Sequence, residues 1–467
     1  MYGQVYWLTI GRCIMKHVAV LWLLWAALTS QGASQSASQS ASQSASQPPN
    51  ILFILADDLG YGDLGCFGQK MIQTPNIDRL AEAGTRFTDF YSGSTVCAPA
   101  RCCLMTGLHT GHARIRGNKP VPLHPEDITV AEVLKTVGYT TGIIGKWGLG
   151  DPGTTGIPNR QGFDYWFGYL NQTLAHNYYP PSLWQNEHEY PLEGNRDGKK
   201  TQYSHDLFTQ EALAFVERSK DRPFFLYLAY TMPHANNELG RETGDGMEVP
   251  DYAPYADRDW PKPYKGRAAM VTRMDADIGR IMERLAQLGL ADRTAVFFTS
   301  DNGPHAEGGT TPQFFRSSGP LRGYKRDLYE GGIRVPMIVR WPGKVKAGVV
   351  SDQVWAMWDF LPTASGIAGA KPPAGLDGIS MLPALLGQKQ KNHEFCYWEF
   401  AERGFTQAVR MGSWKAIRKK NGPMELYNLQ TDIAETADVA GQHPQVVARI
   451  EQYLKTARTE SKDWPAK

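Results

Sequence analysis

The sequence predicts an α/β fold: a large mixed, mostly parallel sheet sandwiched by helices, followed by a smaller C-terminal α+β domain. Three observations point there. The chain has 467 residues, too many for one small domain and enough for a large α/β enzyme with a smaller partner domain. Several short, continuous apolar runs read as strands covered on both faces. Periodic helical segments lie between them, and strands alternating with helices make an open sheet.

At the N-terminus, Met15-Lys16-His17 precedes an apolar run at 18–28 and the small residues Gly32-Ala33-Ser34. That run is too short to span a bilayer and has the form of a secretory signal. Residues 1–33 are therefore read as a signal peptide, which implies a periplasmic or secreted protein with no membrane span after cleavage. Residues 34–49 repeat Ala-Ser-Gln-Ser and end in Pro48-Pro49, a Ser/Gln-rich linker unable to bury a core. The folded chain starts near Asn50.

Four apolar runs then deliver polar residues. The run from Ile51 to Ala56 leads into Asp57-Asp58, and that from Thr140 to Gly145 into Lys146. The run from Phe224 to Tyr230 leads to His234, and that from Ala295 to Ser300 into Asp301-Asn302. Between them, Val271, Met274, Ile278, Ile281 and Leu285 recur at spacings of three and four, which predicts a helix from about Gly266 to Leu288, closed by Gly289. A second helix is expected to start with Thr74 as cap and Pro75 at its first position, and to end at Gly84. In open α/β sheets ligands sit beyond the carboxyl ends of the strands, so the four polar clusters converge on one edge.

The residue types at that edge narrow the chemistry. Asp57, Asp58, Asp301 and Asn302 offer only oxygen, which favours Ca²⁺ or Mg²⁺ over zinc. A lone Asp-Asp is ordinarily a cap or turn, but two such pairs directly after buried strands favour a metal. Arg101, Lys146 and Lys325 add positive charge suited to an anionic substrate. Composition gives no support to another class: the net charge is only +2, whereas nucleic-acid binding usually needs a basic face. Beyond the signal, five cysteines remain (Cys66, Cys97, Cys102, Cys103 and Cys396), and an odd number leaves one thiol with another fate.

Cys97-Ala98-Pro99-Ala100-Arg101 matches C-x-P-x-R, the signature of type I sulfatases, in which the cysteine is oxidised to formylglycine. Thr106-Gly107 follows, and the segment from Gly138 to Lys146 resembles that family's second signature. Ala56-Asp57-Asp58-Leu59-Gly60, Thr74-Pro75-Asn76-Ile77-Asp78, Ser300-Asp301-Asn302-Gly303 and Lys325 with the segment from Glu330 to Pro336 also match. Asp359-Phe360-Leu361-Pro362-Thr363 and Gly375-Leu376-Asp377-Gly378 are family-like as well. The chain thus resembles the formylglycine-dependent sulfatases over roughly residues 50 to 342, and most of all the arylsulfatase and N-acetylgalactosamine-6-sulfatase group.

The resemblance implies an alkaline-phosphatase-like sheet, with a catalytic domain at 50–345 and a C-terminal subdomain at 346–467. It also implies calcium, rather than Mg²⁺, held by Asp57, Asp58, Asp301, Asn302 and the modified Cys97. Arg101 would steady the hydrated aldehyde, Lys146 and Lys325 would bind sulfate oxygens, and His234 would help the leaving group depart. The chemistry fits the residue types. A hydrated aldehyde has one hydroxyl to attack sulfur and a second to expel sulfate, while a metal lowers the hydroxyl pKa. Pro99 suits a helix start, where backbone N–H groups favour an anion. The implied partners are a sulfated carbohydrate or aryl sulfate and a formylglycine-generating enzyme.

One departure stands out. Where the family has Gly-Lys-Trp-His-Leu-Gly, this chain reads Gly145-Lys146-Trp147-Gly148-Leu149-Gly150, so the histidine that contacts the nucleophile's hydroxyl is absent. His305 or a water is expected to take that role, while His109 and His112 receive none. The segments 159–203 and 236–265 read as long loops whose Trp166, Tyr178, Tyr179, Trp184, Tyr252 and Trp260 would wall a sugar or aryl pocket. In the C-terminal subdomain, strands are expected around Val409, Lys415 and Tyr427, with a helix from Pro444 to about Ala457. The family implies that they form a small antiparallel sheet with one helix. Two rivals remain: a phosphatase or phosphodiesterase of the same broad fold, which would use Ser or Thr at 97 with two zinc ions, and a non-catalytic binder of sulfated glycans if Cys97 stays a thiol.

Overall fold

A computed structural model describes residues 48–420 and 422–466. The predicted signal segment and the linker up to residue 47 lie outside the described residues, among which no helix is long and apolar enough to cross a membrane.

The first buried run forms β1 (Asn50–Ala56), followed by two short strands, β2 (Thr85–Phe87) and β3 (Phe90–Tyr91). Next come β4 (Thr140–Lys146), β5 (Tyr165–Tyr169) and the hairpin of β6 (Ser182–Gln185) and β7 (His188–Pro191). The central strands β8 (Phe224–Ala229) and β9 (Thr294–Ser300) precede β10 (Met337–Arg340), β11 (Val349–Ser351) and β12 (Trp355–Ala356). Ten of these make one sheet in the order β11-β2-β10-β9-β1-β8-β4-β5-β6-β7, while β3 and β12 pair separately. The middle, β9-β1-β8-β4-β5, is parallel. The flanks are mixed: β10 runs antiparallel to β9 and β2, as β6 does to β5.

Both faces of the middle are buried, as continuous apolar runs require. Side chains alternate along β1, so Ile51, Phe53 and Leu55 join one core and Leu52, Ile54 and Ala56 the other. The first core is covered by helices Cys97–Thr106, Val130–Lys135 and Phe360–Ala368, with the Phe53 and Phe360 ring centroids 4.4 Å apart. The second is covered by Pro75–Glu82, Ser204–Arg218 and Lys262–Gln287.

The long helix starts four residues earlier than the apolar period suggests, because Pro263 lies in its first turn, where proline's missing N–H costs nothing. Thr74 does sit at a helix start, but its hydroxyl accepts from the Gly65 N–H instead of capping the helix.

Downstream, β13 (Cys396–Phe400), β14 (Thr406–Met411), β15 (Trp414–Lys419) and β16 (Met424–Asn428) form an antiparallel sheet in sequence order. The three expected strands are there; β13 is an addition. Alternation again splits the sheet. Tyr397, Val409, Ala416 and Leu426 pack under helix Pro444–Leu454, while Trp398, Ala408 and Ile417 face the first core of the large sheet.

Segment 159–203, read from the sequence as a loop, instead carries β5, β6 and β7. Trp166 and Tyr178 are fully buried, so they serve packing and do not wall a pocket.

Candidate functional site

In the parallel part of the sheet β9, β1, β8 and β4 are consecutive, and the carboxyl ends of β9, β1 and β4 bring their polar residues together. Asp57 and Asp58 follow β1, Lys146 ends β4, and Asp301 and Asn302 follow β9. All are buried, as are Arg101, His234 and Lys325. Asp58 holds a left-handed backbone (φ 64°), uncommon outside glycine and frequent where a site dictates side-chain direction.

Cys97 is the first residue of helix Cys97–Thr106, and its Sγ lies 3.3 Å from Asp57 Oδ1. The other Asp57 oxygen accepts from Lys146 Nζ at 2.7 Å. Arg101, one turn along the same helix, donates to Asp301 Oδ2 from Nε (3.1 Å) and Nη2 (2.8 Å), and from Nη1 to the Lys146 carbonyl (2.6 Å). Its Nη2 also stands 3.3 Å from Asp57. On the other side, Lys325 Nζ donates to Asp58 Oδ2 at 2.7 Å and lies 3.1 Å from His234 Nε2. The Nδ1 of His234 donates to the Ala235 carbonyl at 2.7 Å, which leaves Nε2 as the acceptor for Lys325. Every catalytic and metal-binding candidate named from the sequence therefore enters one connected cluster.

Its electrostatics follow from burying three carboxylates against three cations. Burial works to raise the pKa of Asp57 and Asp58, but Lys146 for the first and Lys325 for the second overcome it and hold both well below the usual range. Asp301 goes the other way, pushed up to about 7 by burial and by Asp57, with Arg101 opposing. Burial holds the Cys97 thiol well above its ordinary value, so the side chain as encoded is a poor nucleophile. His234 is driven well below its ordinary value by burial and Lys325.

A cation would relieve this crowding. Asp57, Asp58, Cys97 and His234 present ligand atoms within 4.8 Å of one another. The amide nitrogen of Asn302 donates to Asp58 Oδ1 at 2.6 Å, while its Oδ1 is buried with no partner among the described residues. An orphaned carbonyl oxygen beside three carboxylates fits a hard ion such as calcium.

His305 does not take the role expected of it. Its Nδ1 accepts from the Glu307 N–H, and its Nε2 lies 2.8 Å from Arg267 Nη1 and 3.1 Å from the Pro233 carbonyl. Both nitrogens are engaged away from Cys97.

Three neighbours were not legible. Glu307 pairs with Lys325 at 3.4 Å and with Arg326, and these cations hold it down at about 2 against burial. His176 stacks on His234 with centroids 4.8 Å apart and planes 10° from parallel. Gln172 comes from the same loop. Only Glu307, two residues past His305, had any signal in the sequence. His109, His112 and Asp377 make a separate cluster in which His112 Nδ1 lies 2.9 Å from Asp377.

The sulfatase family model matches residues 49–370, and a model described as N-sulphoglucosamine sulphohydrolase, C-terminal, matches residues 323–460. N-acetylgalactosamine-6-sulfatase of Mus musculus is 33% identical over 425 residues, covering 84% of this chain and 76% of its own. Arylsulfatase A of Homo sapiens is 34% identical over 473 residues, covering 87% of each. Among solved structures, Ps i-CgsB in complex with k-i-k-neocarrahexaose superposes with a TM-score of 0.78 at 31% identity, over 90% of this chain and 95% of that one.

Proposed function

The chain belongs to the sulfatase family and is a sulfuric ester hydrolase, and from that premise we propose that it removes sulfate from a sulfated carbohydrate, using a formylglycine made from Cys97 and a bound calcium ion. The observation that carries this reading is the placement of Cys97: buried at a helix start, against Asp57, within a ring of three carboxylates and three cations. A cysteine held as a thiol is of little use there, while an oxygen nucleophile beside a hard cation is well placed.

Asp57, Asp58, Asp301 and Asn302 would hold the ion together with residue 97. When bound, it lowers the pKa of the nucleophile's hydroxyl and polarises the sulfate. The residues of the chain do the rest. Arg101 fixes Asp301 by hydrogen bonds, stands in an ion pair with Asp57 and would steady residue 97. Lys146 and Lys325, now paired with Asp57 and Asp58, would turn their ammonium groups to sulfate oxygens once those carboxylates serve the ion. Lys325 and His234, 3.1 Å apart, share a proton on the side where the leaving oxygen departs.

The carbohydrate assignment draws support from the relatives. Two are named for galactosamine or aryl sulfates, and the superposed structure was solved with a neocarrahexaose. The signal-like N-terminus supports a periplasmic or secreted location.

The first test is the mass of the tryptic peptide 87–101 from protein purified from its native host, followed by assays on 4-nitrophenyl sulfate and on sulfated mono- and oligosaccharides. Conversion of Cys97 with sulfate release is expected. An unmodified thiol throughout the sample would rule out this mechanism and favour a binder of sulfated glycans.

A further inference from the structure

Past the end of β4, Trp147 N–H bonds to the Tyr169 carbonyl at 3.0 Å and Gly148 N–H to the Leu170 carbonyl at 2.9 Å, which ties this segment to the chain leaving β5. Position 148 thus lies two residues beyond Lys146, just outside the strand. The segment borders the site, because Lys146 reaches Asp57, which in turn touches Cys97. Gly148 has no side chain to offer, and its φ of +79° is a conformation that other residues adopt only under strain.

The space is filled from the loop that follows β5. A Cβ built on Gly148 would lie 2.1 Å from Gln172 Nε2, so the carboxamide of Gln172 occupies the start of the path that a side chain at 148 would take. This nitrogen is buried and has no hydrogen-bond partner among the described residues. A buried donor left unpaired is unfavourable, which points to a partner supplied by the working site. The same loop turns through Leu174–His176 and lays His176 on His234, so it passes over the cluster.

We infer that Gln172 replaces the side chain missing at 148 and hydrogen-bonds, through Nε2–H, the oxygen nucleophile carried by residue 97. The inference rests on the formylglycine reading proposed above. A neutral amide donates but takes up no proton near neutrality, so Gln172 orients the nucleophile's oxygen and adds no ionisation to the pH–rate profile.

The experiment uses full-length protein, with conversion of residue 97 measured on peptide 87–101 and 4-nitrophenyl sulfate as the probe. At equal conversion, Q172A is expected to lower kcat about 100-fold with little change in KM, as loss of an oriented donor does. G148A, whose new Cβ displaces the amide, should fall similarly. G148A/Q172A should be no worse than either single variant, since both remove one contact. In G148H/Q172G, partial recovery with a new ionisation near neutral pH is expected.

Wild-type kcat in converted Q172A would overturn the inference. So would strict additivity of the two alanine variants. Should Q172A fail to fold, the near-isosteric Q172E, which loses the donor, must show the same loss; normal kcat there also overturns it. Wild-type protein that is unconverted, or converted and inert, would instead sink the functional reading and the inference with it.

Discussion

Arg101 links more of the site than any other single side chain. It is fully buried, donates twice to Asp301 and once to the Lys146 carbonyl, and stands beside Asp57. Its fork does what an ammonium group cannot. We therefore expect Arg101→Lys to reduce turnover of 4-nitrophenyl sulfate by at least about 100-fold, because one hydrogen-bond donor of an active site is worth that much. Arg101→Ala leaves buried carboxylates uncompensated and should cost about 3–5 kcal/mol of stability, read from denaturant unfolding. A variant unfolding like wild type would show the guanidinium to be dispensable for the fold. At this scale the sequence was legible where chemistry follows directly from a strand or motif, as for Asp57, Asp301 and Cys97. It was not legible for Gln172 and His176, which reach the site only through the folding of a loop. Nor could it show that both His305 nitrogens are engaged elsewhere, since Arg267 and Pro233 lie 38 and 72 residues away in the chain.

Among the elements, β4 is the most constrained. Gly145 adopts φ +108°, and a Cβ there would lie 1.9 Å from the Ala229 carbonyl oxygen on β8. Backbone cannot yield as a flexible side chain can. Gly145→Ala is expected to destabilise the protein by about 2 kcal/mol or more, combining backbone strain with a forced separation of β4 and β8. Because Lys146 comes next, turnover should fall even where the variant remains folded. Unchanged thermal midpoint and turnover would mean that the strands separate freely. The central strands were readable because they are long, continuous and apolar, a pattern that double-sided burial produces. The short strands β2, β3, β11 and β12 have two or three residues each and carry no such pattern. The hairpin β6–β7 was hidden for another reason: β7 is exposed along its whole length, so its residues are polar and read as loop.

Across the whole molecule, a buried ionic seam joins the large sheet to the C-terminal one. Lys415 on β15 pairs with Glu330 at 2.8 Å and with Glu435 at 3.4 Å, and Glu435 accepts from the Glu330 N–H at 2.7 Å. Burial drives Glu435 up to about 7, Lys415 pulls against it, and Glu330 adds to the rise. A carboxyl group raised in the folded state loses stability as pH rises from its unfolded value of 4.5 through about 7. Glu435→Gln, which stays neutral, should therefore gain thermal midpoint relative to wild type at pH 8 and less so at pH 5. An equal difference at both pH values would exclude ionisation of Glu435 as the cause. The seam was invisible in the sequence because its partners lie 85 and 105 residues apart.

The burial of Cys97 also sets a clock. Asp301 and Lys325, charged neighbours of its thiol, lie more than 200 residues further along the chain, and in the folded protein Cys97 is only 2% exposed. No second protein can grip residues 97–101 after that. On the proposed reading, conversion must win a race against folding, and at about 5–20 residues per second synthesis alone holds the window open for roughly 10–45 s. Folded but unconverted protein should thus stay inert when a formylglycine-generating enzyme is added later, whereas a free peptide spanning 87–105 should be converted. Activity recovered in the folded protein would show instead that the pocket opens spontaneously. Where the race holds, the fraction of active molecules is decided by how fast the C-terminal half arrives, a property of production rate and not of the finished fold.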